Sequence, residues 1–380
     1  MAAIERIDVN EAHRRQQRGA RLVDVREPGE HALGVPRGAL KLPRAQIEAE
    51  PALAGEGGEL LLICGSGARS LRAAEALAAR GIAATNVDGG YQAWQAAGLP
   101  IEGNDADPDF LERYSRHLRL PQVGLEGQRK LENARVLLVG AGGLGSPAAF
   151  YLAAAGIDRL RVVDDDAVDR SNLQRQILHT DAGIGTAKVE SARQALRALN
   201  PRVHVEPIRE RVTVANVEAL FSGVDVVIDG ADNFPTRYLL SDACVRFGKP
   251  LVYGAVHRFE GQASVFDAGR SPGESPCYRC LFPEPPGADE APNCAEAGVL
   301  GVLPGVIGLL QATEAVKLLL GIGTSLSGRL LQFDALSMRF HETRLRPDPD
   351  CPGCSPQARL RPLAQLGEVC GSRHGGDASA

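Results

Sequence analysis

The order of apolar and amphipathic segments predicts strands and helices in turn along the first hundred residues. The predicted strands lie at 21–26, 59–64 and 84–90, and the predicted helices lie at 11–19, 70–81 and 90–98. Strands separated by helices are typical of a parallel sheet with flanking helices. We therefore predict a parallel-sheet α/β domain over 1–103, and the segment at 100–109, rich in Pro, Gly and Asp, marks its end.

The residues that follow repeat this pattern and predict a larger α/β domain over 104–355. It opens with an amphipathic segment at 109–133, and an apolar strand and a helix follow within 134–156. Further strands are predicted at 159–166, 203–210, 224–233, 250–256 and 329–334, an antiparallel addition at 260–267, and helices at 185–199, 213–222, 235–247 and 303–321. Residues 356–380 are small and polar, and we expect a flexible tail there.

Composition and charge narrow the class of protein. The 380 residues are 44% hydrophobic and 23% charged, which is ordinary for a soluble globular protein. A net charge of −5 without a basic stripe argues against a nucleic-acid partner. Charges interrupt the N-terminus before any apolar run, so we expect no signal peptide. The longest apolar stretch, 298–320, contains Glu314 and Lys317, which favours a buried helix over a membrane span. We expect a cytoplasmic protein.

A glycine-rich loop predicts a nucleotide site in the second domain. Gly140, Gly142 and Gly145 fit the pattern G-x-G-x-x-G between an apolar strand and a helix. Glycines there let the backbone turn tightly and present its amides to an anion. Asp164 ends the next strand, where a carboxylate can bind ribose hydroxyls. A structural turn has the same glycine pattern, and an NAD-dependent oxidoreductase would share both the loop and the aspartate.

Polar residues beyond this loop favour a nucleoside triphosphate over NAD. Arg175 and Lys188 follow the ribose-binding strand, and two cations suit a departing pyrophosphate, although such residues are often solvated surface charges. Asp232 and Asn233 end another predicted strand, where ligands bind parallel sheets. Carboxylates bind Mg²⁺ beside phosphates, and both residue types also cap helices. We expect Asp232 to bind the metal and Asn233 to cap the helix.

Four cysteines form two C-x-x-C pairs. Cys277 with Cys280 and Cys351 with Cys354 can supply four thiolates to a tetrahedral zinc ion that keeps no open position. Intracellular thiols stay reduced, which favours a metal site over disulfides. A redox dithiol is the alternative, but it would leave the second pair unexplained. We therefore expect structural zinc.

Cys64 ends the second predicted strand and opens the loop C-G-S-G-A-R-S. Inward-facing amides and the start of the next helix should lower the pKa of its thiol. Cysteine phosphatases use the same arrangement with five residues between Cys and Arg, whereas four residues separate Cys64 from Arg69. The shorter loop favours a sulfane sulfur over a phosphate. Of the other cysteines, Cys244 is expected in the core, and Cys370 has no evident role.

The segment from about 109 to 354 resembles the ThiF/MoeB family of ubiquitin-activating-enzyme-like proteins. The matching stretches are, in order, RYSRHLRLPQVGLEGQRKL, VLLVGAGGLGSPAAFYLAAAGI, VDDDAVDRSNLQRQILHTDAGIGTAKVESA, DGADNFPTRY, EGQASVF, CYRCLFPEPP, NCAEAGVLG and CPGC. The resemblance implies a Rossmann-like ATP-binding adenylation domain with a four-cysteine zinc site. Such enzymes adenylate the C-terminal glycine of a small β-grasp sulfur-carrier protein that ends in Gly-Gly.

The same resemblance implies roles for individual residues. Gly143 and its neighbours would contact ATP, and Asp164 would hold the ribose. The residues that it places around the phosphates and Mg²⁺ are Ser171, Asn172, Arg175, Lys188 and Asp232. Arg116 corresponds to an arginine that such enzymes supply from the partner subunit, which implies a homodimer. Cys294 matches a cysteine that some members bond to the carrier, and an inert loop thiol is the alternative.

Residues 1–100 resemble a rhodanese domain. LVDVREPGEHALGVPRGALKLP matches its opening signature, and DGGYQAWQAAGLP matches its closing one. The resemblance implies a persulfide on Cys64, with Arg69 shaping and charging the loop. We assign structural roles to Asp24 and Arg26, as a strand-end cap and a loop support. In related fused enzymes the rhodanese domain usually follows the adenylation domain, whereas here it comes first.

Together these features predict a two-domain enzyme that adenylates a sulfur carrier and then transfers sulfur from Cys64 to give a thiocarboxylate. The expected product serves molybdopterin synthesis, with thiamin or another thio-compound as alternatives. The expected sulfur source is a persulfide donor such as a cysteine desulfurase, or thiosulfate. Three other functions stay open: adenylation with a separate thiosulfate reaction, NAD-dependent redox chemistry, and a scaffold that binds carriers without catalysis.

Overall fold

The computed structural model of the protein describes residues 4–55, 57–103, 107–285 and 298–364. The chain divides into two compact units, Met1–Arg129 and Lys130–Ala380. The helices after residue 107, which are predicted to open the second domain, pack within the first unit. Phe110, Tyr114 and Leu118 are buried there, and Leu33 packs against them. The compact units therefore divide the chain after these helices, whereas the predicted boundary precedes them.

The first unit is built on a five-stranded parallel sheet with the order β1-β6-β5-β2-β4, and β3 pairs with β7 antiparallel. Its described strands are β1 (Arg6–Ile7), β2 (Arg21–Asp24), β3 (Val35–Pro36), β4 (Leu40–Lys41), β5 (Leu60–Ile63), β6 (Thr85–Val87) and β7 (Ile101–Glu102). Its described helices are α1 (Val9–Gln17), α2 (Pro28–His31), α3 (Arg44–Ala49), α4 (Ala68–Ala78), α5 (Gly90–Ala96), α6 (Pro108–Arg113), α7 (Ser115–Leu118) and α8 (Gly124–Leu131), which ends just past the unit. A short 3-10 helix spans Pro51–Ala54.

The central strand β5 is apolar throughout because helices cover both faces of its sheet. Leu62 packs into one core cluster, while Leu61 and Ile63 pack into the cluster on the other face with Trp94. Successive side chains of a strand point to opposite faces, so a strand buried on both faces shows no polar alternation. Cys64 follows this strand at once and belongs to the cluster of Leu62. The predicted parallel α/β domain is confirmed.

The second unit contains an eight-stranded sheet with the order β10-β9-β8-β11-β12-β13-β14-β15. Its described strands are β8 (Arg135–Val139), β9 (Arg159–Val163), β10 (His204–Ile208), β11 (Val226–Asp229), β12 (Leu251–His257), β13 (Glu260–Phe266), β14 (Arg329–Asp334) and β15 (Arg339–Arg344). Its described helices are α9 (Gly145–Ala155), α10 (Lys188–Leu199), α11 (Val217–Phe221), α12 (Phe234–Phe247), α13 (Tyr278–Leu281) and α14 (Leu303–Leu320). Short 3-10 helices span Arg170–Asn172, Asp181–Gly183 and Ala358–Leu360.

The strand order creates a crevice at the carboxyl ends of β8 and β11. From β8 the chain adds β9 and β10 on one side, and it then crosses to place β11 on the other side of β8. The loops after β8 and β11 therefore leave the sheet in opposite directions, which opens the space where doubly wound folds bind ligands. Both loops carry predicted site residues.

The antiparallel half of this sheet confirms one prediction and adds a strand. β13 pairs antiparallel with β12 and β14, as the pattern at 260–267 predicts. β15 forms the edge of the sheet beside β14 and was not predicted. Its residues, RFHETR, are all exposed, so their pattern has no buried face to reveal a strand.

Helix α14 is long enough and apolar enough to cross a membrane by length and composition, and half of it is buried within the protein. Leu303, Ile307 and Ala315 belong to the main core cluster of the second unit. The carboxylate of Glu314 accepts a hydrogen bond of 2.7 Å from the amide of Leu326, and it pairs with Lys317. The predicted buried helix is confirmed.

The beginning of the predicted tail contacts the second unit. The short helix Ala358–Leu360 follows the last C-x-x-C pair, and Leu363 packs against a core cluster. Arg359 donates a hydrogen bond of 3.0 Å to the carbonyl of Cys354. The rest of the predicted tail, residues 365–380, lies outside the described residues.

Candidate active sites and metal centre

The glycine loop after β8 makes close backbone contacts that side chains would prevent. Gly140 has a φ of 92°, and a Cβ there would overlap the carbonyl of Gly230 in the loop after β11. A Cβ at Gly145 would overlap the carbonyl of Gly140. A Cβ at Gly142, by contrast, would meet only the amide nitrogen of Gln176, at 3.6 Å. The two loops thus close against each other and leave the start of α9 open, which fits an anion.

Asp164 joins the end of β9 to this loop. Its Oδ2 accepts a hydrogen bond of 2.8 Å from the amide of Ala141, and its Oδ1 accepts one of 2.9 Å from the amide of Asp166. Burial raises the pKa of Asp164, and the nearby charge of Lys188 opposes the rise. The carboxylate is therefore fixed at the mouth of the crevice, where it can accept hydrogen bonds from hydroxyl groups.

His179 supports the same loop and was missed by sequence reasoning. Its Nε2 lies 2.9 Å from the carbonyl oxygen of Ala141, and its Nδ1 lies 3.0 Å from Oγ of Ser191. A carbonyl only accepts, so Nε2 carries the proton and Nδ1 accepts from the serine hydroxyl. Burial lowers the pKa of His179, which keeps the ring neutral. A single histidine in the stretch ILHT carries no motif that would have found it.

The two predicted cations lie in the crevice. Nζ of Lys188 is 2.7 Å from a carboxylate oxygen of Asp166, and only 6% of the lysine side chain is exposed. Arg175 donates a hydrogen bond of 3.1 Å to the side-chain oxygen of Asn172, which also accepts one of 3.0 Å from Gln176. Lys188 is thus not a solvated surface charge, because the fold buries its stem and aims its ammonium at the crevice.

The loop after β11 places Asp232 and Asn233 on the same crevice as these cations. The side-chain oxygen of Asn233 accepts a hydrogen bond of 3.0 Å from the amide of Thr236 and caps α12, as predicted. Asp232 is exposed, and its carboxylate accepts a hydrogen bond of 3.3 Å from Asn233. An exposed carboxylate at this crevice offers the oxygen ligands that Mg²⁺ prefers.

A buried pair beneath this loop was not predicted. Asp229 is fully buried, one of its oxygens accepts a hydrogen bond of 2.9 Å from the amide of Ala231, and the other is 3.6 Å from Nε of Arg237. Arg237 also donates a hydrogen bond of 2.8 Å to the carbonyl of Ala231. Burial raises the pKa of Asp229. Asp229 and Arg237 thus hold the amide and the carbonyl of Ala231, the residue before Asp232. The sequence did not reveal this pair because the stretch DGADN indicates only the end of a strand.

These elements enclose a cavity of about 260 Å³. The predicted residues that line it are Gly140, Gly142, Gly143, Asp164, Asn172, Arg175, Lys188, Asp232 and Asn233. The lining residues that were not predicted include Gln176, Arg211, Arg237, His257 and Pro304. Ser171 is not among the described lining residues; its hydroxyl donates instead to Asp169, at 2.5 Å.

Two predicted residues are not among the described residues that line the cavity. Arg116 is an exposed residue of α7 in the first unit. Cys294 lies outside the described residues, as does Cys370. Their predicted roles therefore stay predictions.

The four C-x-x-C cysteines form one cluster. Their sulfur atoms all lie within 4.8 Å of one another, and the Sγ atoms of Cys277 and Cys351 are 3.5 Å apart, as are those of Cys280 and Cys354. The amides of Asp348 and Gly353 each lie 3.4 Å from a sulfur and donate to it. Four free thiols with amide donors fit a zinc ion bound by thiolates. Two redox dithiols that act independently would give no reason for the two pairs to lie together.

Cys64 begins the loop between β5 and α4. Its Sγ accepts hydrogen bonds from the amide of Gly67, at 3.2 Å, and from Oγ of Ser70, at 3.3 Å. Burial raises the pKa of this thiol, but the hydrogen bonds from Ser70 and from the loop amides outweigh burial and lower the pKa overall. The loop therefore favours a thiolate, the reactive form of cysteine.

Charged pairs surround this loop. The guanidinium of Arg69 forms two hydrogen bonds of 2.6 Å with the carboxylate of Glu30. Arg26 forms a buried pair with Asp24, at 2.6 Å, and donates to the carbonyl of Gly34, at 2.7 Å. The amide of Arg26 also donates to Asp24, which confirms the structural roles expected for these two residues.

Comparison with known proteins matches both domains of the chain to known families. The ThiF family matches residues 114–353, and the rhodanese-like domain matches residues 8–97. The SAMP-activating enzyme E1 of Haloferax volcanii is 55% identical over 248 residues, which are 65% of this chain and 90% of that protein. A sulfur carrier protein adenylyltransferase of Thermus thermophilus is 50% identical over 264 residues, which are 69% of this chain and 97% of that protein.

Another relative is named for both an adenylyltransferase and a sulfurtransferase activity. The probable adenylyltransferase/sulfurtransferase MoeZ of Mycobacterium tuberculosis is 47% identical over 259 residues, and the match covers 68% of this chain but only 64% of that protein. Among solved structures, E. coli MccB with ATP has a TM-score of 0.55 at 19% identity, over 70% of this chain and 85% of that one, and shows the same fold. The chain belongs to the ThiF family and carries a rhodanese-like domain ahead of its ThiF domain.

Proposed function

We propose that this enzyme adenylates the C-terminal glycine of a small β-grasp sulfur-carrier protein with ATP and then transfers sulfur to it from Cys64. The names of the relatives, a sulfur carrier protein adenylyltransferase and an adenylyltransferase/sulfurtransferase, support both half-reactions. The observation that carries the proposal is the cavity at the switch point of the sheet, which is lined by the glycine loop, by cations that include Arg175 and Lys188, and by carboxylates that include Asp164 and Asp232.

In the adenylation step, the carboxylate of the carrier attacks the α-phosphorus of ATP, and pyrophosphate leaves. The amides at the start of α9 hold phosphate oxygens, and Asp164 accepts hydrogen bonds from the ribose hydroxyls. Arg175 and Lys188 offset the charge that develops on the phosphates. Asp232 would hold a Mg²⁺ ion, which neutralises the leaving pyrophosphate when it is bound.

In the sulfur step, the outer sulfur of a Cys64 persulfide attacks the acyl carbon of the adenylate, and AMP leaves. The resulting acyl disulfide releases a thiocarboxylate when a small external thiol attacks the sulfur of Cys64, which leaves Cys64 in a mixed disulfide with that thiol. A second molecule of the thiol then attacks the mixed disulfide, releases the oxidised thiol and restores the Cys64 thiolate. The lowered pKa of Cys64 supports its part, because a thiolate accepts the sulfur from the donor. The donor is a cysteine desulfurase persulfide or thiosulfate.

Further parts of the proposal rest on the family resemblance. Four cysteines hold a structural zinc ion that ties the segment after β15 to the unit. The enzyme is a cytoplasmic homodimer in which Arg116 reaches the ATP site of the partner subunit. Cys294 forms a covalent bond with the carrier. The thiocarboxylate serves molybdopterin synthesis, with thiamin synthesis as the alternative destination.

The test is ATP–pyrophosphate exchange against a panel of sulfur carriers, followed by intact mass measurement of each carrier. We expect exchange that depends on one carrier, and then the mass gain produced when sulfur replaces oxygen at its C-terminus. Exchange without that gain would separate adenylation from the rhodanese-like domain. Binding of NADH without any exchange would favour redox chemistry instead.

A further inference from the structure

Glu30 holds the guanidinium of Arg69 beside the Cys64 loop. Both carboxylate oxygens accept from Arg69 at 2.6 Å, and Oε2 also accepts a hydrogen bond of 3.1 Å from the amide of Glu27. A Cβ at Gly65, the residue after Cys64, would lie 3.3 Å from the same guanidinium. The carboxylate is thus anchored from two sides, and its partner cation lies against the backbone of the loop.

Two guanidiniums beside the loop are each paired with a carboxylate. Arg69 is neutralised by Glu30, and Arg26 is neutralised by Asp24. The donors that reach the sulfur of Cys64 are the amide of Gly67 and the hydroxyl of Ser70, and both are uncharged. A singly charged sulfur needs no more than such donors, whereas thiosulfate carries two negative charges that call for a free cation.

We propose that Glu30 determines the choice of sulfur donor: by neutralising Arg69, it favours a persulfide carried on a thiol and disfavours thiosulfate. This inference rests on the proposed function, in which Cys64 carries the sulfur. In the favoured reaction the thiolate of Cys64 attacks the outer sulfur of R–S–SH. A new S–S bond forms, the original one breaks, and its electron pair leaves with the thiolate R–S⁻.

With thiosulfate, the same attack would release sulfite, and the sulfonate oxygens would lie beside a guanidinium that is already paired. Glu30→Gln keeps the shape of the side chain and an oxygen for the amide of Glu27, but it removes the charge. Arg69 then offers its full charge to an anion. The substitution therefore distinguishes the effect of the charge of Glu30 from the effect of the size and shape of its side chain.

The experiment uses the full chain and measures kcat/KM for transfer of sulfur to cyanide from thiosulfate and from cysteine persulfide. We expect Glu30→Gln to raise the thiosulfate value about tenfold, as one unit charge acting on a dianion across a few ångströms would, and to leave the persulfide value nearly unchanged. The gain should shrink as ionic strength rises. Glu48→Gln, which breaks the pair with Arg44 on α3, is the matched control and should change neither value.

Two further measurements keep the inference testable if Glu30→Gln folds poorly. Glu30→Asp retains the charge and should keep the preference of the wild type. In the wild type, the thiosulfate value should depend only weakly on ionic strength. A steep dependence of the wild-type thiosulfate value on ionic strength would contradict the inference. An equal loss of kcat/KM with both donors in Glu30→Gln would also contradict it, because Glu30 would then only support the structure. Failure of wild-type Cys64 to accept sulfur from either donor, seen by intact mass, would instead overturn the sulfur step of the proposed function.

Discussion

The imidazole of His179 donates a hydrogen bond of 2.9 Å to the carbonyl of Ala141, in the middle of the glycine loop. The amide of the same residue, Ala141, donates to Asp164, so two side chains hold the backbone on either side of its Cα. The conformation of the glycine loop therefore depends on His179, which is not among the described residues that line the cavity.

We expect His179→Ala to raise the KM for ATP in pyrophosphate exchange roughly tenfold and to lower the free energy of unfolding by about 1–3 kcal/mol, because a buried carbonyl loses its donor. Steady-state kinetics and denaturant unfolding measure the two effects. Ser191→Ala, which removes only the hydroxyl behind the ring, is the milder control. An unchanged KM for ATP in a folded His179→Ala variant would show that the glycine loop keeps its conformation without His179.

His179 also predicts a pH dependence of stability. Burial, with a smaller contribution from Lys188, lowers its pKa in the folded protein below the ordinary value of 6.5, although Asp164 and the bond to Ala141 oppose this. The unfolded chain thus binds the proton more readily, so this contribution to stability is present above pH 6.5 and is lost as the pH falls toward the folded pKa. The free energy of unfolding, measured across this pH range, should therefore depend less on pH in His179→Ala than in the wild type.

Two glycines of the same loop should respond differently to alanine. A Cβ at Gly145 would overlap a backbone carbonyl, so Gly145→Ala should destabilise the protein by about 2–4 kcal/mol. A Cβ at Gly142 meets only the end of the Gln176 side chain, so Gly142→Ala should fold normally. It should weaken ATP binding, because the added methyl group would occupy space beside the backbone amides that are expected to contact the phosphates. Thermal melts with and without ATP compare the pair. Equal melting temperatures for the two variants would contradict this.

The cysteine cluster predicts a structural zinc ion. We expect one zinc per chain by elemental analysis, and its loss in Cys351→Ser together with a fall of roughly 10 °C in the melting temperature. Cys64→Ser, which alters a thiol outside the cluster, should keep the metal. A metal-free wild type that melts at the same temperature as Cys351→Ser would argue against the site.

Each proposed half-reaction has a residue of its own. Asp232→Ala should lower pyrophosphate exchange about a hundredfold or more, because the pyrophosphate loses its metal, while sulfur transfer by Cys64 persists. Cys64→Ala should do the reverse and leave exchange intact. Loss of both activities in either folded variant would mean that the two sites do not work independently.

The local patterns of the chain predicted most of the secondary structure and most of the candidate site. Glycines at 140, 142 and 145, the paired cysteines and the Cys64 loop were identified because each depends on a short stretch whose residue types are dictated by backbone geometry or by ligand chemistry. The buried strand β5 and the buried helix α14 were found because sustained apolar runs have few alternative conformations. Strand β15 was missed because an exposed edge imposes no pattern.

The sequence by itself determined which chemical groups the protein brings, namely an anion loop, a reactive cysteine and a set of four thiols. Only the tertiary structure decided how their charges are balanced. Glu30 meets Arg69, Asp229 lies near Arg237, and His179 meets Ala141 through packing between chain segments that no local pattern connects. Electrostatic and hydrogen-bonding energies depend on distance in space, so the pairing of Arg69 beside Cys64 and the hydrogen bond that holds the glycine loop arise only when the chain is folded.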